Sequence, residues 1–120
     1  MRIYRRSIAL ACILLSALVF NTATAQSYPN KPIKLVVPFP PGGLIDNAAR
    51  LISPALSKEL GQTIVIENKS GSGGNLGAAE VAKAAPDGYT LLMASAPLSI
   101  SPVLYKTLPY NPASIEPIAI

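Results

Sequence analysis

The sequence has 120 residues, half of them hydrophobic and 13% charged, with ten Lys and Arg against six Asp and Glu and no histidine. That composition is globular rather than disordered, and the lack of histidine removes the usual general base, proton shuttle and commonest metal ligand. The formal charge of +4 is a poor guide to partners, because it is concentrated at one end of the chain.

Arg2, Arg5 and Arg6 precede an apolar run from Ser7 to Phe20, and Ala23-Thr24-Ala25 follows. A basic start, a short apolar stretch and a small-x-small tripeptide form a secretory signal peptide, with cleavage expected after Ala25. The run is shorter than the roughly 20 residues that a membrane-spanning helix needs, which argues against a membrane anchor. Cys12, the only cysteine, lies inside the run, so the mature chain has no thiol for disulfides, nucleophilic catalysis or metal binding. Ala9, three residues before Cys12, does not suit a lipoprotein site. Arg5-Arg6 resembles a twin-arginine signal, and both export routes stay open. The leader carries three of the ten basic residues and none of the acidic ones. The mature net charge is therefore +1, and no basic patch for nucleic acid remains.

After a polar entry over 26–31, Ile33 to Val37 reads as a buried strand, and Pro38 to Gly43, with three prolines and two glycines, must be a loop. Apolar residues at Ile45, Ala48, Ala49, Ile52, Ala55, Leu56 and Leu60 have helical spacing; Pro54 predicts a bend and Gly61 the end. Thr63 to Glu67 reads as a second strand and 68–74 as a glycine-rich turn. The apolar face Ala78, Val81, Ala82 and Ala85 marks a second helix, and Pro86-Asp87-Gly88 a turn. Tyr89 to Ala94 reads as a third buried strand, and a short helix is predicted over 101–106. Short strands alternating with helices define an α/β fold with a parallel sheet and right-handed crossovers.

Ligands of open α/β sheets bind beyond the carboxyl ends of the strands. Three loops share that edge: 38–44, 68–74 and 95–98. Gly42 and Gly43 have two readings, a backbone that approaches an anion at a helix N-terminus or simply a tight turn. Ser72, Gly73 and Gly74 are secondary candidates with the structural reading favoured, and Ser99 is recommended by position alone. Asp46, in the first turn of its helix, suits a cap or dipole partner. A dinucleotide fingerprint is excluded because Leu76 stands where the third glycine belongs. There is no phosphate loop and no nucleophile elbow, so no catalytic residue, metal site or cofactor is assigned.

Tyr28-Pro29-Asn30-Lys31-Pro32-Ile33, Leu35 to Gly43 with Asp46 and Ala49-Arg50, Glu67-Asn68-Lys69, Gly73-Gly74-Asn75-Leu76-Gly77 and Pro86-Asp87-Gly88-Tyr89-Thr90-Leu91 closely resemble the Bug-type solute receptors of tripartite tricarboxylate transporters. The resemblance spans the mature chain. It implies one parallel-sheet lobe of a type II periplasmic-binding-protein-like fold, whose full-length monomer closes on a small organic carboxylate and delivers it to membrane permease subunits. Carried over position by position, it implies ligand contacts from Pro41, Gly42, Gly43, Leu44 and Asp46, and from Ser95, Ala96 and Pro97. Leu44-Ile45 departs from the small or polar pair usual there. The chain is also shorter than such receptors, so residues 26–120 are expected to be an incomplete first lobe, not competent alone. The alternative is a small exported enzyme or interaction module built on the glycine loops.

Overall fold

The computed structural model describes residues 27–118. The signal peptide and its cleavage site lie outside them. The element order is β1 (Ile33–Val37), α1 (Leu44–Leu60), β2 (Ile64–Asn68), a 3-10 turn (Ser72–Gly74), α2 (Asn75–Lys83), β3 (Thr90–Leu92), α3 (Ala96–Leu104) and a 3-10 turn (Pro112–Ser114).

The three strands form one parallel sheet in the order β2-β1-β3, with Ile33 opposite Ile64 and Lys34 opposite Thr90. β1, the most apolar strand, is central, and Ile33, Val36 and Val37 are fully buried. β2 and β3 are edges. The third strand, expected to be buried, is half-buried along its length, and Val65 of β2 is 50% exposed.

Alternation along β1 sorts its side chains between two layers. Ile33, Leu35 and Val37 pack with Ala49 and Ile64, and Ile45 and Leu60 close over them from α1. On the opposite face α2 contributes Ala78 and Ala79 to a cluster with Tyr110, Leu92, Leu98 and Leu108. The helices fall on opposite faces because β1-α1-β2 and β2-α2-β3 advance across the sheet in opposite directions with the same crossover hand. Lys34, on the α2 face, meets Glu67 at 2.8 Å and Glu80 at 3.3 Å, and Lys69 meets Glu80 at 3.2 Å.

Three predicted details are corrected. The buried line of α1 is Asp46, Ala49 and Ser53, while Ala55 is exposed and Ile52 and Leu56 lie toward solvent. The hydrogen bonds of Asp46 turn that line toward the sheet. The helix continues on both sides of Pro54, where a bend is predicted, and Ser53 Oγ donates to the Ala49 carbonyl at 2.6 Å. Ala85 lies beyond α2 and is exposed. The last helix spans Ala96–Leu104 instead of 101–106, because Pro97 in its first turn has the fixed φ and missing donor that a helix start tolerates.

At the amino-terminal edge of the sheet, the entry segment is clasped to the turn before β3. Tyr28 Oη donates to the Gly88 carbonyl at 2.8 Å, the Asn30 amide donates to Tyr89 Oη at 2.9 Å, and Tyr89 Oη donates to Asn30 Oδ1 at 2.9 Å. Lys31 Nζ lies 4.2 Å from the Tyr89 ring centroid and 3.4 Å from Asp87. Gly88 has φ +79°, which favours glycine, and a Cβ there would stand 2.6 Å from Tyr28 Oη and push that side chain aside.

Candidate functional site

Because the strands are parallel, their carboxyl ends share the opposite edge. β1 connects to β2 on one side while the chain then crosses to β3 on the other. The gap beyond β1 and β3 is therefore the topological switch point, where such sheets bind ligands. The loops 38–43 and 93–95 flank it, and the Met93 amide bonds the Val36 carbonyl at 2.9 Å.

Asp46 organises the first loop. Its side chain is 1% exposed. Oδ2 accepts from the Gly42 amide at 2.8 Å and from Arg50 Nε at 2.9 Å, and Oδ1 accepts from Asn68 Nδ2 at 2.9 Å. Asn68 Nδ2 also donates to the Phe39 carbonyl at 3.1 Å. The Arg50 guanidinium first, then the Gly42 amide and Asn68, hold the Asp46 carboxyl well below the usual carboxylate range. Three of the carboxylate's roughly four accepting positions are taken inside the protein, an arrangement that suits a residue positioning the loop.

The Gly42 amide, spent on Asp46, is likewise not free. The donors that remain are in the first turn of α1: among the described residues, the Leu44, Ile45 and Asp46 amides have no hydrogen-bond partner, as helix geometry requires. Gly42, at φ +81°, makes the turn that lets Asp46 reach back to it. Pro41 is exposed beside it. The Leu44 side chain is 83% exposed and shares its helix pole with Leu51, opposite the buried line of Asp46, Ala49 and Ser53.

Across the gap, Ser95 is the N-cap residue of α3, yet its hydroxyl does not cap the helix. Ser95 Oγ is buried and has no hydrogen-bond partner among the described residues. Ala96 and Pro97 follow in the exposed first turn, and Ser99 is exposed farther along α3.

The third loop arches over the exit of β1, and its glycines divide by role. A Cβ on Gly77 would stand 2.9 Å from Pro38 Cβ and 3.0 Å from the Lys69 carbonyl oxygen, and one on Gly74 would stand 3.4 Å from Pro38 Cβ. Gly77 is a packing glycine that seats α2 on buried Pro38, whereas Gly74, at φ +94°, is called for by its backbone conformation. Ser72 and Gly73 are exposed at the rim, with φ of +49° and +64°, and α3 touches this turn. Sequence reasoning missed Asn68 and Asn75. Nothing in their neighbourhood distinguishes them from ordinary turn and helix-start residues.

No group of His, Cys, Asp or Glu among the described residues has the arrangement of a metal site. No described helix is long and apolar enough to cross a membrane.

A parallel α/β lobe with unpartnered donors at its switch point has the layout of a ligand-binding edge. The chain belongs to the TctC family, the tripartite tricarboxylate transporter family receptors, whose family model matches residues 48–120. It is 46% identical over 90 residues to the protein BugT of Bordetella pertussis, an alignment covering 73% of this chain and 28% of that one. The chain thus spans about a third of the length of the curated relatives it matches. Among solved structures it resembles a periplasmic transporter, with TM-score 0.66 and 50% identity over 72% of this chain and 29% of that one. It resembles Rpa4515 of R. palustris with adipate, with TM-score 0.68 and 43% identity over 72% and 29% of the two chains. A third neighbour is MatC of Rhodopseudomonas palustris with bound malate, with TM-score 0.53 and 52% identity over 54% and 22% of the chains.

Proposed function

We propose that this chain supplies one wall of a receptor for small organic dicarboxylates, working outside the cytoplasmic membrane and handing its ligand to permease subunits. The reading rests on one observation above all. Ser95 Oγ is buried without a partner, and an unsatisfied buried hydroxyl is costly unless something else completes it. A carboxylate oxygen does so, and the free amides at the start of α1 bring further donors and a favourable dipole to the same gap. Relatives that hold adipate and malate make dicarboxylates the natural ligand class.

In this reading Gly42 and Gly43 shape the turn, the Leu44 backbone, Ser95 and Ala96 face the ligand, Pro41, Pro97, Ser72, Gly73 and Ser99 form the rim, and Asp46 and Gly74 act indirectly. The arginine-led leader fits export with cleavage after Ala25, and a net charge of +1 suits a small anionic ligand rather than nucleic acid. We read the role as that of a receptor, because the family model that the chain matches is that of a transporter receptor. Calorimetric titration of the full-length protein with adipate, malate and citrate tests this. We expect saturable binding of at least one, weakened about tenfold by Ser95→Ala, the effect of one hydrogen bond to a charged group. Absence of binding across that panel overturns the proposal.

A further inference from the structure

We propose that Asn75 is a ligand-recognition residue, its side-chain amide donating to a ligand carboxylate while Tyr110 holds it in place; this rests on the receptor reading above. Asn75 is the first residue of α2 and is 3% exposed. Its Oδ1 accepts a hydrogen bond from Tyr110 Oη at 3.2 Å. Its Nδ2 makes no hydrogen bond among the described residues and, unlike Ser95 Oγ, is not sealed from solvent, so on an otherwise buried residue it is an open donor. Burial pushes the Tyr110 hydroxyl above its ordinary pKa, so it keeps its proton and remains the donor. Tyr110 itself is 9% exposed and packs with Ala78 and Ala79. The anchor is therefore rigid.

The position of Asn75 fits this role. Side chains at the start of a helix lean toward its N-terminus, and the N-terminus of α2 lies at the carboxyl edge of the sheet. The preceding residue, Gly74, packs on Pro38 and Phe39 of the β1 loop, and α3, which Ser95 precedes, touches both α2 and the turn before it. One oxygen fixed from behind and one amide left open is a preorganised donor, which saves the cost of ordering a side chain on binding. A purely structural asparagine would need only the Tyr110 bond.

Asn75→Asp separates the two roles. The isosteric carboxylate still accepts from Tyr110, and an acidic group suits a helix N-terminus, so the fold keeps what it had. The free donor becomes an anionic acceptor that repels a carboxylate. Thermal melting without ligand and calorimetric titration with adipate and malate are compared for wild type, Asn75→Asp and Tyr110→Phe in the full-length protein. We expect Asn75→Asp to melt no lower than wild type and to bind at least about tenfold more weakly, with a loss of severalfold for Tyr110→Phe. Binding within twofold of wild type by Asn75→Asp overturns the inference and leaves the receptor reading standing. So does a melting point lowered by Asn75→Asp, which would make the residue structural. A wild type that binds neither acid overturns the receptor reading itself and this inference with it.

Discussion

The two ends of the sheet are built from similar parts, with opposite results. At the amino-terminal edge Tyr28, Asn30, Lys31, Asp87 and Tyr89 contact one another, and the tyrosine rings pack edge-on at 5.0 Å. Polar side chains there end on protein partners. At the carboxyl edge the polar inventory splits: Asp46, Asn68 and Arg50 are bonded to one another, whereas Ser95 Oγ is buried with no partner among the described residues, and Asn75 Nδ2 and the first amides of α1 stay open there. Composition does not separate a clasp from a site. The balance of donors and acceptors does, because a buried polar group without a partner persists only where something outside the chain completes it.

Breaking the bonded half of the carboxyl edge should have the largest effect. Asp46→Asn turns an acceptor facing the Gly42 amide, Arg50 and Asn68 into a group with half the accepting capacity and no charge. We expect the melting temperature to fall by roughly 10 °C or more and ligand binding to be lost with the loop. Acid should act on the same bonds. The folded pKa of Asp46 is depressed, so its stabilisation is fully present above the unfolded value of about 3.9 and is lost as pH falls toward the folded one. Glu80 and Asp87 shift in the same direction. Urea denaturation should therefore show stability falling below about pH 4, less steeply in Asp46→Asn.

Gly77→Ala tests how tightly the third loop is seated. Alanine gains up to about 1 kcal/mol in helix propensity, but its Cβ would meet Pro38 Cα at 3.1 Å and the Lys69 carbonyl oxygen at 3.0 Å, backbone atoms that cannot rotate aside. Overpacking costs about 1 to 3 kcal/mol, so denaturant titration should show net destabilisation. Ser95→Ala sharpens the comparison from the unbonded half: melting without ligand should be unchanged or slightly higher, because the hydroxyl it removes has no partner to lose. The clasp should also respond weakly. Lys31→Ala removes an exposed ion pair and a ring contact, each worth little in solvent, and should shift the melting temperature by only a few degrees.

Much of this is legible in the sequence, and the failures share a cause. The strand β1, the glycine loops and the alternation of strand and helix follow from local residue type, which places both flanks of the switch point. Asp46 is legible as a cap. That Asn68 reaches its other oxygen depends on β2 lying beside β1 in a register that pairs Val37 with Asn68, which no local pattern encodes. The apolar period of α1 suggests Ile52, Ala55 and Leu56 as core, but a buried acid rotates the contact line away from them. Pro97 reads as a loop residue, although the same rigidity suits a helix start. Asn75 acquires its meaning only from Tyr110, whose position is fixed by packing on α2 and not by neighbours in sequence.

The strand order carries one more consequence, in time rather than in space. Every ladder of the described sheet is parallel, and β1 pairs with Ile64–Asn68 on one side and Thr90–Leu92 on the other. No hairpin exists among the described residues to start the sheet locally, and each pairing must first close a long loop. An emerging chain therefore holds its most apolar strand without a partner until β2 has followed, and with one open edge until β3 has. Such non-local pairing is slow. The interval in which a protease, a chaperone or another unfolded chain can reach Ile33–Val37 is set by the order of the strands, and stabilising the finished fold does not shorten it.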